Sequence, residues 1–288
     1  MRKASLIEKE SRQIATVRDL TSVFESLASM QVAKIKDKVK MSEDFFQLLW
    51  QRYSLIRVAP GSRITERASQ RNDRRVFVII SAEGGLSGDI DERLIEAMLK
   101  DYDASNTDVM VLGTHGATQL KDHNIPFIRF FKVPESDTYI DVTPVIDAIR
   151  PYSKITIYYE EYVSLGVQEI KTIDLNSTLQ TMSAGADPDQ EIMTVEGTIF
   201  EPSLDEIAEL MEKGMMALAF SQVILASGLA QAASRFNAMA QAKKRAWELI
   251  NFQNLEFHRA KRSESDRRLH EVLIGIKKKR QKLARTHR

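Results

Sequence analysis

Neither glycine nor proline occurs before Pro60, and no proline occurs between Pro202 and Arg288. Helices rarely run far without one of these breakers, so two such stretches predict two long helices at the ends of the chain. Between them, residues 60–202 hold all seven prolines and nine of the twelve glycines. Three parts are therefore expected: a helix over 1–59, an α/β domain over 60–202, and a longer helix over 203–288.

In the first part Ile7, Ile14, Val17, Leu20, Phe24, Leu27 and Met30 recur mostly at steps of three, four or seven, which marks one helical face. The last part opens with "PSLDE", where Ser203 and Glu206 have the spacing of a capping box. An apolar stripe follows through Ile207, Leu210, Met211, Leu218, Leu225, Leu229, Ala232, Phe236 and Met239. Helical to about residue 283, this part would be ~120 Å long. A compact chain of this size has a radius of gyration of only ~19 Å, so the helix is expected to project. The first helix, ~80 Å by the same arithmetic, is the available partner, as an antiparallel, left-handed coiled coil. Gly214 and Gly228 lie inside the second helix, either at close helix contacts or simply tolerated.

The middle alternates strand and helix. "RVFVII", "DVMVLG", "PFIRFF" and "KITIYYEEYV" read as strands, with "DERLIEAMLKDY", "GATQLKDH" and "VTPVIDAIR" as helices between them. This order predicts a small Rossmann-like parallel sheet covered by helices. "VQEIKTIDL" and "EIMTVEGTIF" are expected as antiparallel edge strands.

The stretch "SAEGGLSGDIDE" (81–92) joins a strand to a helix, a place where phosphates often bind, but it lacks both common phosphate-loop patterns. Glu83, Asp89, Asp91 and Glu92 would repel a phosphate more than a helix dipole attracts it. A structural turn is expected instead, with Asp89 as N-cap and Glu92 in the reciprocal position. His115 reads as a polar turn residue, Met215 and Met216 as packing. His258 and His270 lack metal spacing. No catalytic constellation, cofactor or metal site emerges. The chain has no cysteine, and its longest apolar run, "MMALAF", is short against a membrane span of ~20 residues. With no apolar signal core at the N-terminus, a cytoplasmic location is expected.

Charge is lopsided. Residues 241–288 carry fifteen Lys or Arg against five Asp or Glu, a net of +10, leaving −9 for the rest. Such an end suits nucleic acid, an acidic protein surface, or plain solvation.

Three stretches resemble the gamma subunit of F-type ATP synthase, the central rotor stalk. They are "IATVRDLTSVFESLASMQVAKI" (14–35), "AEGGLSGDID" (82–91) and "ASRFNAMAQAKKRAWELI" (233–250), and "GTIFEPSLDEI" falls where the family has an E-P-x-x-x-x-I segment. Leu27 stands where methionine is usual, Ser87 where cysteine is common, and Arg262 and Asp266 replace a typical glutamine and threonine. The chain also continues past Gly275 as "IKKKRQKLARTHR", where family members usually end soon after. The resemblance implies a non-catalytic subunit whose α/β foot sits on a membrane ring while its helices run up the bore of a catalytic hexamer. Implied partners are the alpha/beta hexamer, the epsilon subunit and the membrane c-ring, at the cytoplasmic face of a bacterial plasma membrane, with no nucleic acid. Arg235, Arg262, Lys243, Lys244 and Arg245 are the candidate contacts between rotor and ring. Two other readings remain open, the rotor of a related motor coupled to another process and a basic coiled-coil protein that binds nucleic acid.

Overall fold

A computed structural model describes residues 3–57, 72–133, 141–174 and 204–286. Helix α1 spans Ala4–Arg57 and α5 spans Leu204–Thr286. Between them lie β1 (Asn72–Ile80), α2 (Ile90–Asp101), β2 (Thr107–Leu112), α3 (Thr114–Asp122), β3 (Arg129–Phe131), α4 (Thr143–Ile149), β4 (Tyr152–Ser164) and β5 (Val167–Asp174). The chain divides into two compact units, Met1–Glu25 with Met239–Arg288, and Ser26–Ala238.

The second unit contains the sheet, in the order β3-β2-β1-β4-β5. The pairs β2–β3, β1–β2 and β1–β4 are parallel, and β5 closes the edge antiparallel to β4. Side chains alternate across β1. Val76, Val78 and Ile80 pack with Val145, Ile146 and Ile149 of α4 and with Phe220, Val223 and Ile224 of α5. Phe77 and Ile79 pack on the other face with Leu94, Ile95 and Met98 of α2 and Leu120 of α3. The α/β alternation expected from the sequence is therefore a three-layer domain, and the long helix supplies part of one layer. The expected strand at 191–200 and the Ser203 cap lie outside the described residues.

That packing explains a stretch the apolar-run test missed. Between Lys213 and Arg235 no charge occurs. An 18-residue window within Lys213–Lys278 reaches a mean hydropathy of 1.5, enough by length and composition to cross a membrane. Half of that window is buried, and Phe220, Val223 and Ile224 belong to the core of the sheet. Of the stripe expected for α5, Leu229, Ala232 and Met239 are buried but Leu210 is exposed, and Met215, Phe220, Ser227 and Ala230 are buried as well. A helix packed on more than one side has no single apolar stripe.

On α1 the face assignment changes as well. Buried and half-buried positions run through 4, 7, 11, 14, 18, 21, 25 and 28, then 32, 35, 39, 42, 46 and 49, a heptad alternation of three and four, with 10, 15, 22 and 38 half-buried beside it. Much of this seam is small or polar, with Ala4, Ser11, Thr21, Ala28 and Ser42 among its members. Small side chains let two helices approach closely. Ile7 and Ile14 belong to it as expected, but Val17, Leu20, Phe24, Leu27 and Met30 turn outward, from 38% to 68% exposed.

In the first unit the two helices run antiparallel. The Ala4 amide donates to Glu264 Oε1 (3.2 Å), Gln253 Nε2 to Glu10 Oε2 (3.4 Å) and Lys243 Nζ to Glu25 Oε2 (2.9 Å). Ala4, Ile7 and Ala260 form the apolar contact there. In the second unit Phe46 packs on Met215, so Met215 is a packing residue.

Candidate functional site

The glycine-rich turn 81–92 is where the second unit concentrates its polar contacts. Two of its carboxylates, Glu83 and Asp91, are used internally, and Asp89 does not form the predicted cap. Asp89 has φ −95° and ψ 5°, away from the extended backbone of an N-cap, and makes no side-chain cap bond. Glu83 instead serves the N-terminus of α3, accepting from the Thr114 amide (3.3 Å), the Thr114 hydroxyl (2.9 Å) and the Val133 amide (3.2 Å). A negative charge suits that helix end. Ser81 Oγ completes the join, accepting from the Gly116 amide (3.0 Å) and donating to the Leu112 carbonyl (2.8 Å). The approach is so close that a Cβ on Gly113 or Gly116 would collide with Ser81.

Asp91, another acid at the start of α2, is wholly buried. Its Oδ1 accepts from the Ala82 amide (2.9 Å) and its Oδ2 shares a hydrogen bond with His115 Nδ1 (2.8 Å). His115 is thus the second residue of α3 rather than a turn residue, and the buried carboxylate's partner. Glu160 of β4 is fully buried beside them. Burial first, and then the Asp91 charge, push its carboxyl well above the usual glutamate range, against hydrogen bonds from Gln231 and Ser227.

Helix α5 docks on this turn. Ser234 Oγ donates to the Ser87 carbonyl, and Ser227 Oγ lies 3.3 Å from the Ile80 carbonyl and 3.2 Å from Glu160 Oε2. Gly88, at φ +74°, sits against Ser234 and Ala238. Leu86 also takes a positive φ, 71°, and is 54% exposed.

The five cations singled out from the sequence fall into two groups. Arg235 is half-buried, and its guanidinium donates to the Gly84 carbonyl (3.2 Å) and to Gln31 Oε1 (3.4 Å). Lys243 is paired with Glu25. Lys244, Arg245 and Arg262 are exposed. Near them on α5, Trp247, Leu249, Phe252 and Leu255 are all more than 50% exposed. Cations and large apolar groups interleave on that surface. Periodicity alone does not separate this outward face from the seam.

A family model described as ATP synthase matches residues 4–277. The chain is similar to the ATP synthase gamma chain of Clostridium novyi, at 21% identity over 286 residues, covering 93% of this chain and 95% of that one. It is similar to the gamma chain of Staphylococcus aureus at 22% identity, with 94% and 98% covered. Among solved structures it resembles the rotor of the Euglena gracilis mitochondrial ATP synthase, with a TM-score of 0.60 at 12% identity over 90% of this chain and 98% of that one. The central stalk of the Tetrahymena thermophila enzyme gives a TM-score of 0.58 at 14% identity, with 77% and 99% covered.

Proposed function

The chain belongs to the ATP synthase family, and from that premise we propose that it is the gamma-type central rotor stalk, transmitting rotation between a membrane c-ring and a catalytic alpha/beta hexamer. It does so without an active site of its own. The observation that carries this reading is the inversion of faces on α1. Small residues such as Ala4, Thr21 and Ala28 take buried seam positions, while Val17, Leu20, Phe24 and Leu27 face outward. An exposed apolar stripe of this kind calls for a surrounding partner. Trp247, Phe252 and Leu255 give α5 a similar surface.

Mechanically, an asymmetric stalk contacts each catalytic subunit differently, so its angle biases each site among conformations of different nucleotide affinity. That is a coupling of binding free energies. Lys244, Arg245 and Arg262, being exposed, are the cations available to meet acidic segments of the hexamer. Arg235 and Lys243 already hold intramolecular acceptors. The subunit would work as a peripheral part of the complex on the cytoplasmic face of a bacterial plasma membrane.

Purification of the tagged chain in mild detergent tests the assignment. Alpha, beta, epsilon and c subunits are expected with it, with ATP hydrolysis that needs the beta subunit's site. Recovery with nucleic acid or unrelated proteins instead would overturn it.

A further inference from the structure

Beyond the stalk's mechanical role, Glu160 presents a buried group that this function does not require. It has no exposed surface, and its Oε1 has no protein hydrogen-bond donor among the described residues. Besides Ser227 and Gln231, a second carboxyl lies within hydrogen-bond reach, that of Asp91, itself wholly buried. Two ionised carboxylates in such a place would repel in a medium of low dielectric, with one oxygen left unsatisfied. One proton resolves both problems.

We propose that Glu160 and Asp91 share a proton carried on Glu160, and that this proton is a pH-sensitive clasp between the sheet and helix α5. Its location follows from the donors. Asp91 already accepts from the Ala82 amide and pairs with His115, so its negative charge is served. Glu160 has Ser227 at Oε2, and Gln231 supports Ser227 through a 3.0 Å hydrogen bond from its Nε2. With a proton on Oε1, Glu160 donates to Asp91, and Oε2 stays an acceptor for α5.

The charged and titratable groups around the pair come from every element packed there. They are Asp91 on α2, His115 on α3 and Arg235 on α5, whose charge acts on Asp91. On the β4–β5 hairpin, Lys171 pairs with both Glu161 and Glu169. Among the described residues none of these cations bonds to Glu160.

The sign is fixed by the direction of the shift. A carboxyl raised in the folded state binds more protons folded than unfolded. The clasp is therefore fully present below the ordinary glutamate value and weakens as pH rises toward the folded one. On ionisation the proton goes to solvent, the two carboxylates oppose each other, and the Ser227–Gln231 turn of α5 loses hold.

The full chain, labelled with ¹³C at glutamate carboxyls, reads this by NMR. One glutamate resonance is expected to titrate well above the other glutamates and to vanish in Glu160→Gln. Amide exchange in α5 around Ser227–Gln231, corrected for intrinsic rates, should lose up to about tenfold protection per pH unit through that titration, and none in Glu160→Gln. If Glu160→Gln does not fold, Asp91→Asn serves as the second variant. It should move the same resonance toward the ordinary range without restoring it, since burial remains. A wild-type spectrum in which every glutamate ionises normally, or α5 protection that is flat with pH, would overturn the proposal.

Discussion

Leu27 and Ala28 are neighbours on α1 with opposite surroundings. Ala28 is 1% exposed in the seam, and Leu27 is 49% exposed on the outer face. Ala28→Leu forces a branched side chain into this buried position. Overpacking of this kind costs about 1–3 kcal/mol. Leu27→Ala removes a side chain whose full burial would be worth about 1.5–3 kcal/mol, of which only about half is realised here. Alanine's better helix propensity returns a few tenths, so the net loss is roughly 0.5–1 kcal/mol. Urea unfolding of the isolated chain should separate the two variants clearly. Reconstituted complexes should show the reverse order, with Leu27→Ala lowering ATP-driven proton pumping per ATP hydrolysed, because the proposed role sets its face against the surrounding hexamer. Equal destabilisation by both would mean that the faces are misassigned. Unchanged pumping in Leu27→Ala would mean that the outer stripe is not a working surface.

A methyl group added at Gly214 or Gly228 would meet nothing within 4 Å, so neither glycine marks a close helix contact. Gly214→Ala and Gly228→Ala should each raise stability by about 0.5–1 kcal/mol in denaturant titration, and a loss would reveal a contact there. Asp89→Ala should leave stability within about 0.5 kcal/mol, because no cap bond is lost. Ser81→Ala should cost about 1–3 kcal/mol by leaving the Gly116 amide unsatisfied. Thermal melts compare that pair directly, and equal losses would contradict the cap assignment.

The layered sheet was legible because β1 and β2 announce themselves as short apolar runs that end at glycine-containing turns, and the intervening amphipathic helices give the parallel order. The antiparallel β5 was legible too, since "VQEIKTID" follows a two-residue turn after β4. The seam of α1 was not. Hydrophobic periodicity assigns the largest apolar residues to the inside, whereas α1 buries Ala4, Thr21 and Ala28 beside Ile7 and Phe46 and turns Leu20, Phe24 and Leu27 outward. The Asp91 cluster was hidden for a different reason. His115 lies 24 residues from Asp91 and Ser227 lies 67 from Glu160, distances over which local spacing carries no signal. Local rules saw acids beside a helix start and assigned a cap.

Arg235 shows how the two kinds of cation can be told apart. Sequence resemblance makes it a contact between rotor and ring, yet its guanidinium binds the Gly84 carbonyl and Gln31, joining the glycine turn and α1 to α5 within one unit. A hydrogen bond from a charged donor is worth about 1.5–3 kcal/mol when buried. Arg235 is only half-buried and one of its bonds is long, so after solvent screening about 1 kcal/mol is the expected loss in Arg235→Ala. Lys244 and Arg245 are exposed, and their double alanine variant should melt like the wild type while changing ATP synthesis rates in reconstituted membranes. Arg235→Ala should do the opposite first, lowering the melting temperature of the isolated chain and affecting coupling only as far as the joint loosens. If Arg235→Ala melts normally but uncouples synthesis from hydrolysis, its guanidinium serves the ring, and the intramolecular bonds are what it exchanges on assembly.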